Sequence, residues 1–118
     1  MDRYKIGLDG QEAAEKFLQN KGYVVLSRNY RVKTGEIDLV LKDGTYIVFV
    51  EVKFRKNLAY GLPREAVGHT KQQRIMNTAL HYLARYKLTE SDIRFDVVEV
   101  IEQHGKLYAS HIENAFTA

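Results

Sequence analysis

No cysteine occurs in the chain, which excludes disulfides and thiolate zinc sites. The opening residues MDRYKIGLDGQEAAEKF contain no apolar h-region of the kind a secretory leader needs. No apolar run approaches the roughly 20 residues that span a bilayer. Internal repeats, low-complexity stretches and linkers are missing too. These absences set the expectation of a soluble, cytoplasmic protein with a single domain over residues 1–118. That length is sufficient to bury a proper core.

Hydrophobic residues make up 45% and charged residues 28%, ordinary values for a globular chain. The net charge is +3 and the pI about 9.1, a weak pointer to an anionic partner. The distribution says more than the total. Residues 53–74 carry Lys53, Arg55, Lys56, Arg64, Lys71 and Arg74 against Glu65 alone, and RNYRVK (28–33) adds Arg28, Arg31 and Lys33 with no acid. These stretches flank two acidic motifs, so an anionic polymer drawn to them would lie across carboxylates. A solvated basic surface is the competing explanation.

From Gly10 to Lys21, GQEAAEKFLQNK places Ala14, Phe17 and Leu18 on one helical face, with Gly22 as a C-terminal stop. Asp9 is a good N-cap residue, and Glu12 three residues later completes a capping-box-like pattern. YVVLSRNYR reads as a strand. GEIDLVLKDGTYIVFVEVKFR reads as a β-hairpin turning at Asp43-Gly44. Pro63, in the loop NLAYGLPREAVGH, is placed to open a short helical turn. TKQQRIMNTALHYLARYK is the strongest helical pattern, with Ile75, Met76, Ala79, Leu80 and Leu83 as its apolar stripe. IRFDVVEVI alternates as a strand, EQHGK turns, and LYASHI returns. The resulting order, α-β-β-β-α-β-β, is that of a mixed α/β domain with a central sheet flanked by helices.

With Asp43-Gly44 as the turn, Lys42 faces Thr45, Asp38 faces Phe49 and Glu36 faces Glu51. Directly opposed residues share a face, as do alternate residues along one strand. Glu36, Asp38, Glu51 and Lys53 then project from one side, and Ile37, Leu39, Leu41, Val48, Val50 and Val52 from the other. Asp38 and Glu51 become diagonal neighbours able to share a cation. Acids this close repel unless something positive lies between them. A hard divalent cation would answer that need. So, in part, would a cross-strand pair in which Lys53 satisfies Glu51 while Glu36 and Asp38 reach solvent.

An Asp, a hairpin and then Glu-x-Lys form the signature of the PD-(D/E)XK, restriction-endonuclease-like nuclease superfamily. The stretch LDGQEAAEKFLQNKGYVVLSRNYRVKTGEIDLVLKDGTYIVFVEVKFR, with GLPREAV, TALHYL, RFDVV and ENAF, resembles the YraN family over nearly the whole chain. That bacterial family is regarded as related to the archaeal Holliday-junction resolvases. The resemblance implies a restriction-endonuclease-like fold and hydrolysis of DNA phosphodiesters, branched or structured DNA included, with Mg²⁺ or Mn²⁺ as cofactor. It implies Asp38, Glu51 and the Val52 carbonyl as metal ligands and Lys53 as the catalytic lysine, with Glu36 supporting the metal through water. Arg28, Arg31, Arg55 and Lys56 would hold flanking phosphates without reading bases, joined by Lys71 and Arg74.

One position departs from the pattern. Relatives commonly carry a Gly-Glu pair in the first helix, and the glutamate's place falls here on Gln11, whose amide brings no negative charge. Glu12 is turned from it by roughly 100°, and Glu15 follows one helical turn later. Gln72, near the start of the long helix, is a further supporting candidate, for which a partly buried structural role is the plain alternative. His69, His81, His104 and His111 have no paired ligand spacing, so a zinc site is not expected. The tyrosines are scattered as packing residues rather than as a base-stacking platform. Two other readings compete with a nuclease that acts on DNA rather than RNA. One is a nucleic-acid-binding module that is catalytically weak or inactive; the other is a protein-interaction domain with a structural acidic cluster. A homodimer would pair along an exposed edge strand near LYASHI.

Overall fold

The computed structural model describes residues 3–55 and 67–117, with side chains from Gly10 onward. Lys56, Gly61, Pro63 and Arg64 lie outside the described residues. Element order is α1 (Arg3–Asn20), β1 (Val24–Val32), β2 (Gly35–Asp43), β3 (Tyr46–Arg55), α2 (His69–Arg85), β4 (Asp92–Gln103) and β5 (Lys106–Phe116). This is the α-β-β-β-α-β-β order expected. The strands form one sheet in sequence order, antiparallel throughout except for the parallel pair β3–β4. A parallel pair needs a crossover connection, and α2 lies within it. No helix of the described residues is long and apolar enough to cross a membrane.

The two sheet faces have separate cores. Ala14 and Leu18 of α1 pack with Leu39, Leu41, Val48, Val50, Val98 and Val100. Ile75, Ala79, Tyr82 and Leu83 of α2 pack with Val40, Ile47, Phe49, Phe95 and Val97. Burial on both faces explains why the central strands read as nearly continuous apolar runs. Ile37, expected beside Leu39 and Leu41, instead joins Tyr30 in the α2-side cluster. There β2 is paired with β1 beyond its last pair with β3, and a two-stranded ribbon twists more than a full sheet.

Three expectations are corrected. α1 begins at Arg3, so Asp9 and Glu12 lie inside the helix and Asp9 is not its N-cap. Gly10 is therefore interior; a Cβ there would come within 2.9 Å of the Phe54 ring, so glycine lets α1 approach β3. The hairpin turns at Gly44-Thr45, with Asp43 paired to Tyr46. Gly44 has φ +59°, the left-handed backbone that glycine supplies in a two-residue hairpin loop. Asp43 stays on the strand, where its carboxylate accepts from Arg94 Nη1 at 3.1 Å. Finally, the buried stripe of α2 is Ile75, Thr78, Ala79, Tyr82 and Leu83, while Leu80 is 62% exposed. Tyr82 turns the stripe by filling the space against the Tyr30 and Phe49 rings, at centroid distances of 5.1 and 5.8 Å.

At the far side, Gly22 (φ +95°) follows α1 as expected, and His104-Gly105, both with positive φ, joins β4 to β5. β5 is an edge strand with Leu107 and Tyr108 exposed, and it runs past LYASHI to Phe116, which stacks on Phe95. The irregularity in its pairing falls beside Asp96. That carboxylate, fully buried, accepts from Arg94 Nε (2.9 Å) and Nη2 (3.0 Å) and from the Asn114 N–H (2.9 Å), and faces His111 Nε2 at 2.7 Å. Burial alone would raise its pKa, but the bonds from His111, Arg94 and Asn114 outweigh it and hold Asp96 below the ordinary carboxylate value.

A group with a lowered folded pKa stabilises the protein above its unfolded pKa, here 3.8, and loses that contribution as pH falls through the folded value. Asp96→Ala is expected to cost on the order of 1–3 kcal/mol at pH 7, because Arg94 Nε and the Asn114 N–H lose their buried acceptor while Asp43 still pairs with Arg94 Nη1. Urea unfolding at pH 7 and pH 3 checks this: the gap between wild type and variant narrows at the lower pH.

Candidate functional site

The β2–β3 ladder ends at the pair Leu39–Val50. One step further, Asp38 and Glu51 come opposite each other, and the Asp38 carboxylate takes over from the backbone: its Oδ2 accepts the Val52 N–H at 2.8 Å. The expected register had set these two acids diagonally. The later turn moves each strand by one residue in a compensating sense, so the shared face survives and the acids come closer. A pocket of about 410 Å³ contains both, with Glu36, Lys71, Arg74 and Ile75 around them.

Charge in this pocket is poorly balanced. The Asp38 pKa is raised from 3.8 to about 6, first by burial and then by the negative charges of Glu51 and Glu36; the Val52 N–H and Lys71 act in the opposite direction. Glu51, only 8% exposed, is paired with Lys71 Nζ at 2.5 Å. Lys71 comes from the first turn of α2, so the cation beside Glu51 arrives from across the crossover. Lys53 was the lysine expected there. It lies two residues beyond Glu51 on β3, opposite Glu99 of β4, and no ion pair holds it among the described residues.

The donor set suits a hard divalent cation. Asp38 and Glu51 offer carboxylate oxygens, and the Val52 peptide lies against Asp38. Among the described residues no group of three acidic or histidine side chains is placed to hold one metal ion. Two carboxylates with water oxygens are a set that Mg²⁺ accepts.

The supporting residues divide. Glu36 lines the same pocket and accepts from Asn29 Nδ2 (3.2 Å) and Arg31 Nη2 (3.0 Å). Gln11 forms a reciprocal amide pair with Asn29 at 2.9 and 3.3 Å, and its Nε2 lies 3.5 Å from the Asp38 backbone oxygen. It therefore meets Asp38 at the main chain. Gln72 is turned to the Val67 carbonyl at 2.7 Å, where it tethers the start of α2, the structural alternative.

The basic residues divide as well. Arg28 is engaged by Glu15 at 2.5 and 3.1 Å. Arg55 pairs with Glu99, which is almost fully buried, and so is directed into the fold rather than to a rim. Lys71 and Arg74 line the acidic pocket. Arg74 also lines an adjoining cleft of about 620 Å³ with Arg31 and Lys33. Lys71 was expected as a phosphate contact and Lys33 only as part of a basic stretch; the placement of Lys71 beside Glu51 had no signal in local spacing.

Residues 10–100 match the family described as uncharacterised protein family UPF0102. The chain belongs to that family. It is 46% identical over 114 residues to a UPF0102 protein of Clostridium acetobutylicum, covering 95% of this chain and 93% of the relative. A UPF0102 protein of Alkaliphilus metalliredigens is 48% identical over 112 residues, 94% of this chain and 96% of its own. One from Lachnoclostridium phytofermentans is 44% identical over 119 residues, 100% of this chain and 98% of its own. The YraN-type resemblance read from the motifs is to this family.

A raised carboxyl pKa means the folded state holds the proton more tightly than the unfolded chain. Stability therefore falls as pH rises from 3.8 to about 6, and the cost is complete above that. Asp38→Asn, which keeps an acceptor for the Val52 N–H, is expected to gain on the order of 1–3 kcal/mol at pH 8. Below pH 4 the gain vanishes. Denaturant midpoints at both pH values test it, and destabilisation at pH 8 would contradict the charge imbalance.

Proposed function

We propose that this protein is a metal-dependent endonuclease that hydrolyses DNA phosphodiester bonds, with branched or structured DNA among its substrates. One observation carries the reading: two carboxylates from adjacent strands meet in an open pocket bordered by Lys71 and Arg74. The basic cleft adjoining it fits an anionic polymer.

Asp38, Glu51 and the Val52 carbonyl would hold Mg²⁺ or Mn²⁺. Bound there, such an ion supplies Lewis acidity toward a phosphate and lowers the pKa of water. The chain's own residues do the rest. Asp38 is kept in place by the Val52 N–H. Lys53 projects from the same face of β3 as Glu51, where it orients the attacking water, receives its proton or meets charge developing on the phosphate. Arg74, Lys71, Arg31 and Lys33 hold neighbouring phosphates, contacts that position the duplex without reading its sequence. In the reaction a water oxygen bonds to phosphorus, one P–O ester bond breaks, and the departing sugar oxygen takes up a proton.

A second reading, a nucleic-acid-binding module with little or no hydrolysis, draws on Gln11, a neutral amide where the resemblance assigns an acid. End-labelled duplex and four-way-junction DNA, incubated with Mg²⁺ or Mn²⁺, separates the two. The nuclease reading expects cleavage by wild type and a loss of at least about 100-fold in Asp38→Ala and Glu51→Ala. Salt-sensitive binding without cleavage would favour the module, and no binding at any salt would remove both.

A further inference from the structure

Glu51 is buried and acidic, so it cannot stand without a positive partner at small cost. Its partner is Lys71, whose Nζ lies 2.5 Å from Oε1 while the lysine side chain remains 54% exposed. Such a partner is firmly attracted yet free to leave, because a lysine is a point charge on a flexible stem.

The location of Lys71 gives it a second preference. It lies in the first turn of α2, which has no acidic residue there and no side-chain N-cap bond at Gly68. A cation at a helix N-terminus faces the positive end of the dipole and is disfavoured unless an anion is close. Glu51 is one such anion. A phosphate lying over the first-turn N–H groups of the helix would be another. Arg74, three residues on, lines the same pocket, and among the described residues no ion pair holds it.

We propose that Lys71 and a divalent cation compete for the Glu51 carboxylate, so that cation binding releases Lys71 to a nucleic-acid phosphate. The proposal rests on the nuclease reading of this pocket and adds a coupling to it: each ligand tightens the other by the same factor. An added cation replaces the charge Lys71 withdraws, so Glu51 is never left unpaired. The lysine then carries its charge to the substrate instead of to the site.

The experiment titrates Mn²⁺ calorimetrically, without nucleic acid, into wild type, Lys71→Met, Lys71→Arg and Arg74→Met, each checked for folding by circular dichroism. Lys71→Met is expected to bind Mn²⁺ about 5- to 10-fold more tightly than wild type. Arg74→Met removes a nearby charge without removing a competitor and should change affinity by less than about 2-fold. Lys71→Arg should stay near wild type. In a second arm, Ca²⁺ should tighten binding of a short DNA duplex to wild type, and much less to Lys71→Met. Binding by Lys71→Met alone would also support competition. Equal or weaker Mn²⁺ binding by Lys71→Met, with wild type binding normally, overturns the competition and leaves the nuclease reading intact. Failure of wild type and Lys71→Met alike to bind Mn²⁺ removes the cation reading of the pocket and the proposal with it.

Discussion

The hydrogen bond from the Val52 N–H to Asp38 Oδ2 decides where the rest of the pocket can be. A strand N–H must be satisfied, and in a continued ladder it would go to a backbone carbonyl of β2. A carboxylate takes it instead, with the added strength of a charged acceptor. β2 is then free to leave β3 and travel with β1 as a twisted ribbon. That departure carries Glu36 and Arg31 to the pocket's edge and lets Gly35 approach Thr78 of α2, with room for little more than a hydrogen on its Cα.

Two aspartates of the sheet, Asp96 buried and Asp38 half-buried, contrast with each other. Asp96 is surrounded by donors and held below the usual carboxylate range; it seals the irregular pairing of β5 and leaves no capacity for a ligand. Asp38 has one N–H donor, two acidic neighbours and an open pocket before it. The first arrangement serves the fold, as a fully satisfied polar cluster does. The second retains unmet demand for positive charge, which is the condition under which a carboxylate pair recruits a cation.

The shared face of Asp38 and Glu51 was legible because strand periodicity depends on parity, and the displaced turn preserved it. The choice of Gly44-Thr45 over Asp43-Gly44 was not legible, since Asp43 is held on the strand by Arg94, 51 residues away in sequence. Local pattern located α2 but misjudged its buried side: Leu80 is intrinsically more apolar than Thr78, yet Thr78 hides its hydroxyl on the Arg74 carbonyl at 2.7 Å while Leu80 faces out. Charge clustering found Arg74, and equally pointed to Arg55, whose strand position aims it at Glu99. Lys71 was visible as a basic residue, but no spacing rule could bring it to Glu51, since the two are joined only through tertiary structure.

The parallel pairing of β3 with β4 has a kinetic side. The β1–β2 and β2–β3 hairpins close over short loops, whereas Tyr46 and Asp92 meet only by closing a long stretch of chain, and such non-local closures are slow. Glu51 lies on one side of that crossover and Lys71 within it. Until the chain has closed the loop, the hairpin carries its acids with no lysine from α2 to offset them. The pocket draws its lining from β2, β3 and α2, so it is completed when α2 docks on the hairpin; before that step the chain presents only the acidic half of the site.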